Sequence, residues 1–81
     1  MESEWYAPLL EYYKLTSMIY MTRHMGGNYK KHAKMAREIL DELRRLRPPP
    51  PHHIPRLEHK LRWALEAPPG VSSDDYGRGG A

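Results

Sequence analysis

The chain has 81 residues, enough for one small domain, and 13 basic and 10 acidic side chains give it a formal net charge of +3. It contains no cysteine, which excludes a disulfide framework and a thiolate metal site. A chain of this length buries only about 60% of the surface of its unfolded form, so a core built from it alone is expected to be marginally stable.

The first apolar segment runs from Leu9 to Met21 and predicts a helix over about residues 5–25. Its apolar and aromatic side chains recur at helical spacing but cover more than one face of the helix. Pro8 suits a first helical turn, where its missing N–H costs nothing. Gly26-Gly27 suits the end of the helix, because glycine adopts the left-handed conformation without steric cost.

The second segment has the clearest amphipathic pattern and predicts a helix over about residues 29–47. We expect Asn28 to cap its start and Pro48 to end it. Arg23 and His24, just before the link, fit the negative end of the first helix's dipole. Because the link is short, the two helices are predicted to form an antiparallel helical hairpin over residues 8–47. The apolar stripe of the second helix comprises Tyr29, His32, Ala33, Ala36, Ile39, Leu40, Leu43 and Leu46.

Positive charge is concentrated around this second helix. Residues 23–47 carry eight basic against three acidic side chains, whereas the rest of the chain has a net charge of −2. Such a helix suits contact with phosphate, anionic lipid or an acidic protein surface. The spacings Arg37–Asp41 and Asp41–Arg45 predict weak ion pairs within the helix. The basic face consists of Lys30, Lys31, Lys34, Arg37, Arg44, Arg45 and Arg47.

Four consecutive prolines, within a linker over residues 48–54, predict a stiff polyproline strut. The same run could serve as a ligand for a proline-recognition domain, but its place between helices favours the strut. Residues 55–67 then predict a short third helix with Pro55 at its first position. At about three turns it needs a packing partner, either the hairpin or a neighbouring protein. Its apolar stripe is Leu57, Leu61, Ala64 and Leu65, with Trp63 beside it and with expected ion pairs Glu58–Arg62 and Arg62–Glu66.

Residues 68–81 show no periodicity and are rich in glycine, serine and aspartate. Such a composition predicts an extended tail that is flexible unless a partner orders it. Together these elements predict an all-α fold in which residues 1–81 form a single small helical chain.

No catalytic motif is evident, so we expect a protein that is not an enzyme. The serines lack a nucleophile context, and the glycine pairs match no phosphate-binding loop. The carboxylates lie among lysines and arginines, as ordinary surface charges do. The five histidines have no acidic residue at the spacing of a zinc site. We therefore expect neither a metal nor a cofactor.

Aromatic residues are the candidate partner-binding residues. The chain has six tyrosines, two tryptophans and no phenylalanine. Tyrosine and tryptophan combine apolar area with a polar group, which suits a surface that a partner covers. The candidates are Trp5, Tyr6, Tyr12, Tyr13, Tyr20, Trp63 and Tyr76.

No run of residues reaches the roughly 20 apolar positions of a transmembrane helix. The acidic start, Met-Glu-Ser-Glu, lacks the basic residues of a cleavable signal, so an intracellular location is expected. We expect a non-catalytic accessory or structural subunit whose partners are other proteins of a large complex. By analogy, the setting is a mitochondrial or other organellar membrane enzyme (a respiratory complex or ATP synthase) or a ribosome. Two alternatives stay open: an RNA- or DNA-binding module using the basic helix, and a peripheral membrane or adaptor protein that contacts anionic lipid.

Overall fold

The computed structural model describes residues 4–77, and within that range it contains three α-helices and no β-strand. The helices are α1 (Tyr6–His24), α2 (Lys30–Arg45) and α3 (Ile54–Glu66). The all-α prediction is therefore confirmed for this part of the chain. Each helix begins and ends within two residues of its predicted bounds.

Backbone hydrogen bonds at the glycine pair end α1. Gly26 has a positive φ of 80°, which favours glycine because a side chain would be strained there. Its N–H donates to the carbonyl of Arg23 at 3.3 Å, and the N–H of Gly27 donates to that of Thr22 at 2.9 Å. These two bonds satisfy carbonyls in the last turn of α1 in the Schellman arrangement.

The N-cap of α2 is Tyr29 rather than the predicted Asn28, but the side-chain oxygen of Asn28, one residue earlier, accepts a hydrogen bond from the N–H of Lys30 at 3.1 Å. The helix ends two residues earlier than expected, because the backbone of Leu46 is already extended. Proline disfavours the helical conformation in the residue before it, so Pro48 restricts Arg47 as well as ending the helix itself.

The third helix packs against both α1 and α2 within the same chain. The sequence left open whether it would pack there or on a neighbour. Ile54 rather than Pro55 is its first residue, so the proline takes the second position, where its missing N–H is equally harmless. In the preceding linker, Pro50 is buried.

The core lies where the three helices meet. Small residues on α2, Ala33 and Ala36, are buried and allow close approach of the neighbouring helices. On α3, Trp63 is buried whereas Leu65 is only partly buried, which corrects the predicted stripe. The other buried core residues are Leu9, Tyr12, Leu15 and Ile19 on α1, Leu40 and Leu43 on α2, Leu57, Leu61 and Ala64 on α3, and Ala67 just beyond it; the polar Thr16 of α1 is buried as well.

Residues 71–76 form a turn that contacts α3. Part of the predicted tail, 68–81, therefore has hydrogen-bond partners within its own chain; residues 78–81 lie outside the described range. The composition of the tail gave no sign of these partners, because they are side chains of another element. Four bonds join the turn to α3: Trp63 Nε1–H to Val71 O at 2.6 Å, His59 Nε2–H to Ser73 O at 2.9 Å, Tyr76 O–H to Glu66 Oε1 at 2.7 Å, and Lys60 Nζ–H to Ser73 Oγ at 3.3 Å.

Candidate functional site

The side of α1 that faces away from the other helices carries exposed apolar side chains, and we call it the outer face of α1. Four residues define it, two at each end of the helix and four positions apart within each pair, as one helical face requires. Lys14 and Ser17 lie between the pairs and are exposed as well. The exposed fractions are 46% for Tyr6, 54% for Leu10, 54% for Met21 and 84% for Met25.

Two of the predicted partner-binding residues, Tyr12 and Trp63, belong to the core. Tyr12 is fully buried, and its hydroxyl donates a hydrogen bond to the carbonyl of Leu57 on α3. Burial raises the pKa of Tyr12 well above its ordinary value, and the neighbouring Tyr13 and Glu58 act in the same direction. We therefore do not assign Tyr12 or Trp63 to a surface for partners.

Tyr20 joins α1 to α3. Its ring stacks on the indole of Trp63, with ring centroids 4.3 Å apart and an angle of 11° between the planes. Its hydroxyl donates to the carbonyl of Pro68 at 2.8 Å, beyond the end of α3. Both halves of this side chain are thus used within the chain, and an aromatic pair of this kind adds about 0.5–1.5 kcal/mol beyond area burial.

Arg23 and His24 cap the end of α3. The Nε–H of Arg23 donates to the carbonyl of Ala64 at 3.0 Å, and its Nη2 donates to that of Ala67. The Nε2 of His24 also lies 3.0 Å from the Ala67 oxygen. The sequence predicted that these two side chains would interact with the end of their own helix. Both do lie in the last turn of α1, and their side chains in addition satisfy the last carbonyls of α3, which has no basic residue in its own last turn.

The remaining aromatic candidates lie at the edges of the core. Tyr13 is partly buried, and its hydroxyl lies 2.7 Å from Nδ1 of His52. Tyr76 is partly buried, and Trp5 is partly buried with its ring edge against Tyr6, at a centroid distance of 6.0 Å. Of the seven predicted residues, Tyr6 alone is exposed. It is therefore the one that joins the outer face of α1.

All seven residues of the basic face are exposed. Arg44 pairs with Asp41 at 2.9 Å on the same helix and with Glu58 across on α3. These are the ion pairs within residues 4–77, so the predicted pairs of Asp41 with Arg37 and Arg45 are wrong. The predicted pairs of Arg62 on α3 are absent from that range too. Asp41 pairs with Arg44 rather than with Arg37 or Arg45, and Arg44 also reaches a second carboxylate on α3.

The first turns of α2 keep an uncompensated positive charge. Lys30, Lys31, Lys34 and Arg37 have no carboxylate within ion-pair distance in the described range, and the helix dipole adds positive potential at this end. Beside them lies an open groove of about 440 Å³. Its lining residues are Tyr29, Lys30, Ala33, Arg37 and Leu65.

A second cleft was not foreseen from the sequence, and we call it the Lys60 cleft. It has a volume of about 410 Å³ and lies between α1, α3 and the turn at residues 71–76. The spacing of Arg56, His59 and Lys60 along α3 was the available signal, since residues three and four apart share one helical face. Its lining residues are Tyr13, Arg56, His59, Lys60, Ser73 and Asp74.

Within residues 4–77, no three histidine, aspartate or glutamate side chains gather closely enough to hold a metal ion. In the same part of the chain, no helix combines the length and the apolar character needed to cross a membrane. Comparison of the chain with protein-family models, curated proteins and solved structures gives no match. The outer face of α1, the basic face of α2 and the Lys60 cleft are therefore interpreted from their own chemistry.

Proposed function

We propose that this protein is a non-catalytic accessory subunit that docks onto a partner protein through the outer face of α1. The observation that carries the proposal is the exposure of Leu10 and Met21 on α1, and of Met25 just beyond its end, while the opposite face of α1 is buried against α2 and α3. Exposed apolar side chains on one helical face, although interrupted here by Lys14 and Ser17, are typical of a surface that a partner covers. The outer face of α1 is therefore expected to be buried against another protein.

The partner that fits this face is a protein with an apolar groove that receives a helix. In that mode of recognition, anchors three or four positions apart enter pockets along the groove. The spacings of Tyr6 and Leu10, and of Met21 and Met25, are of this kind. Methionine side chains are flexible and polarisable, so they adapt to an irregular apolar surface.

In this proposal α1 and α2 act as an antiparallel hairpin, and the prolines at 48–51 act as a stiff spacer that returns α3 to them. The link between α1 and α2 spans only residues 25–29, and Pro50 is buried, which supports both parts. The setting is a multiprotein assembly. A mitochondrial membrane enzyme or an organellar ribosome is proposed by analogy alone.

Co-purification from the native source tests the docking. We expect the full chain to elute with a large complex, and a Leu10→Gln, Met21→Gln double variant to elute as the free 9.5 kDa chain. Met35→Gln is the matched control, because Met35 is an exposed methionine on α2. A photo-crosslinker at position 21 identifies the partner. Elution of the unmodified chain as a free monomer, or equal retention of all variants, contradicts the proposal.

A second candidate function, binding of RNA or DNA, is favoured by the first turns of α2. Lysine and arginine side chains there are exposed and free of carboxylate partners within residues 4–77. Lysine and arginine side chains that pair with phosphates release the counterions condensed on the nucleic acid, and Tyr29 in the adjoining groove offers an aromatic ring to a base.

The salt dependence of binding tests this second candidate. Replacing Lys30, Lys31 and Lys34 with glutamine is expected to weaken binding of single-stranded RNA, measured by fluorescence anisotropy. It should also reduce the slope of log affinity against log salt by roughly 2, at about 0.7 per phosphate contact. Binding that is insensitive to salt, or equally weakened by the control, contradicts it. The control variant removes two exposed cations outside α2 and the Lys60 cleft, Lys14 and Arg62, and the effects are compared per cation removed.

A further inference from the structure

The Lys60 cleft gathers more positive than negative charge. Arg56 and Lys60 contribute two cations, and Asp74 is the one carboxylate in the lining. The walls come from three separate parts of the chain: α1, α3 and the turn at residues 71–76. The cleft is therefore a product of the tertiary fold, and the hydrogen bonds between the turn and α3 hold it in shape.

Lys60 is partly buried without a carboxylate partner. Its Nζ lies 5.0 Å from the ring centroid of Trp63 and 5.5 Å from that of Tyr13, and donates to the hydroxyl of Ser73 at 3.3 Å. An ammonium group has three N–H donors, so two are left over. No carboxylate within residues 4–77 is within ion-pair distance of it. Burial lowers the pKa of Lys60, an effect that Asp74 opposes and Arg56 strengthens.

Arg56 accompanies Lys60 on the same face of α3 and brings further donors. The guanidinium of Arg56 is exposed and has no hydrogen-bond partner among the described residues, which leaves all five of its N–H donors available. His59 lies between them in sequence. Its Nε2 must carry a proton, since the Ser73 carbonyl that it contacts at 2.9 Å can only accept.

We propose that the Lys60 cleft binds the phosphate group of a small soluble phosphate monoester, with Arg56 and Lys60 as its cationic ligands. A phosphate monoester carries nearly two negative charges near neutral pH and offers several acceptor oxygens. Its several acceptor oxygens thus match the spare donors of Arg56 and Lys60 better than the two oxygens of a carboxylate do, although Asp74 at the cleft opposes any anion. A cleft of about 410 Å³ holds a phosphate with a short organic group.

NMR titration of the full chain with glycerol 3-phosphate tests the proposal, with inorganic phosphate as a second probe. We expect saturable shift changes at the backbone amides of Lys60, Ser73 and Asp74. Binding should also raise the pKa of the Lys60 ammonium, followed through its side-chain carbon signals, because a bound dianion stabilises the charged form. Shift changes that do not saturate, or that centre on α2, overturn the proposal.

Charge-removing variants sharpen the test. Arg56→Gln and Lys60→Gln are each expected to weaken binding by roughly tenfold or more, the effect of losing a hydrogen bond to a charged group. Arg56 is exposed, so its variant keeps the test decisive if Lys60→Gln fails to fold. Arg62→Gln removes an exposed cation of α3 that does not line the cleft and should leave the Kd unchanged. An unchanged Kd for Arg56→Gln overturns the proposal.

A lipid headgroup carries the same phosphate chemistry, and vesicles containing phosphatidic acid separate the two sources. If the chain floats with these vesicles and shows no saturable binding of glycerol 3-phosphate, the proposal of a soluble ligand is overturned, and the cleft binds a lipid headgroup. Saturable binding of glycerol 3-phosphate supports the proposal. Because the cleft does not include the outer face of α1, either proposal can fail while the other stands.

Discussion

The two faces of α1 have similar apolar side chains but different surroundings. On the inner face, Leu15 and Ile19 are buried against the other two helices, whereas on the outer face Leu10 and Met21 are about half exposed. Hydrophobicity alone does not distinguish them. The difference comes from α2 and α3, which cover one side of the helix only. We therefore expect substitutions on the inner face to change the free energy of unfolding, and those on the outer face to change binding.

The largest effect is expected from the inner face. Ile19 is fully buried, so Ile19→Ala removes buried apolar area and leaves a cavity. Such a change costs about 2–5 kcal/mol of unfolding free energy. Urea denaturation followed by circular dichroism measures it. A loss below about 1 kcal/mol would mean that the inner face is not the core that the structure describes.

The contacts at the end of α3 come next. Arg23→Gln removes donors from the carbonyls of Ala64 and Ala67, and the expected cost is about 1–3 kcal/mol. Amide hydrogen exchange should show faster opening in the last turn of α3 than in its first. Arg62→Gln is the control, since Arg62 is an exposed arginine on the same helix. If the last turn of α3 exchanges equally fast in both variants, Arg23 does not cap this helix.

Tyr12 makes the stability contributed by the inner face depend on pH. Its folded-state pKa is raised above the unfolded value of about 10, so the stability that it contributes is fully present below that pH and is lost as pH rises above it. At neutral pH, Tyr12→Phe is expected to cost about 1 kcal/mol through the lost hydrogen bond to Leu57.

Thermal unfolding between neutral and alkaline pH checks the sign of this effect. The unmodified chain should lose Tm above about pH 10 more steeply than Tyr12→Phe does. Tyr13, whose pKa burial also raises, and Lys60, whose pKa burial lowers, ionise in both chains, so the effect assigned to Tyr12 is the difference between the two curves. Parallel curves for the two chains would contradict a buried phenol at this position.

The smallest effect on stability is expected from the outer face. Leu10→Gln should change the unfolding free energy by less than about 0.5 kcal/mol, as surface substitutions usually do. The same urea experiment measures it. A loss comparable with that of Ile19→Ala would show that Leu10 is covered by its own chain, which would end the case for a docking face.

Sequence reasoning located the helices because the signals for them are local. Gly26-Gly27 and Asn28 lie next to the helix ends that they satisfy, and the apolar spacing of α2 lies within one element. The ion pairs of Asp41 were predicted wrongly for the same reason. Spacing within α2 favoured Arg37 and Arg45, whereas the fold offers Arg44 a second carboxylate on α3.

The candidate sites depended on contacts between distant parts of the chain, and sequence reasoning did worse there. Tyr12 and Trp63 were expected at a partner surface, but the packing of α3 on α1 places them in the core. The Lys60 cleft needs the turn at residues 71–76, which the composition predicted to be flexible. The side chains of α3 that bond to the turn cannot be inferred from the residues of the turn itself.

The caps on α3 also bear on the order in which the protein folds. Arg23 and Ala67 are 44 positions apart, and Tyr20 and Pro68 are 48 apart, so more than half of the chain must close as a loop before either contact exists. Loop closure of this length is entropically costly and precedes the contacts that offset it. We expect the last turn of α3 to form late, in the same step that brings the ring of Tyr20 onto Trp63. The fluorescence of Trp63 in a Trp5→Phe chain would report that step directly.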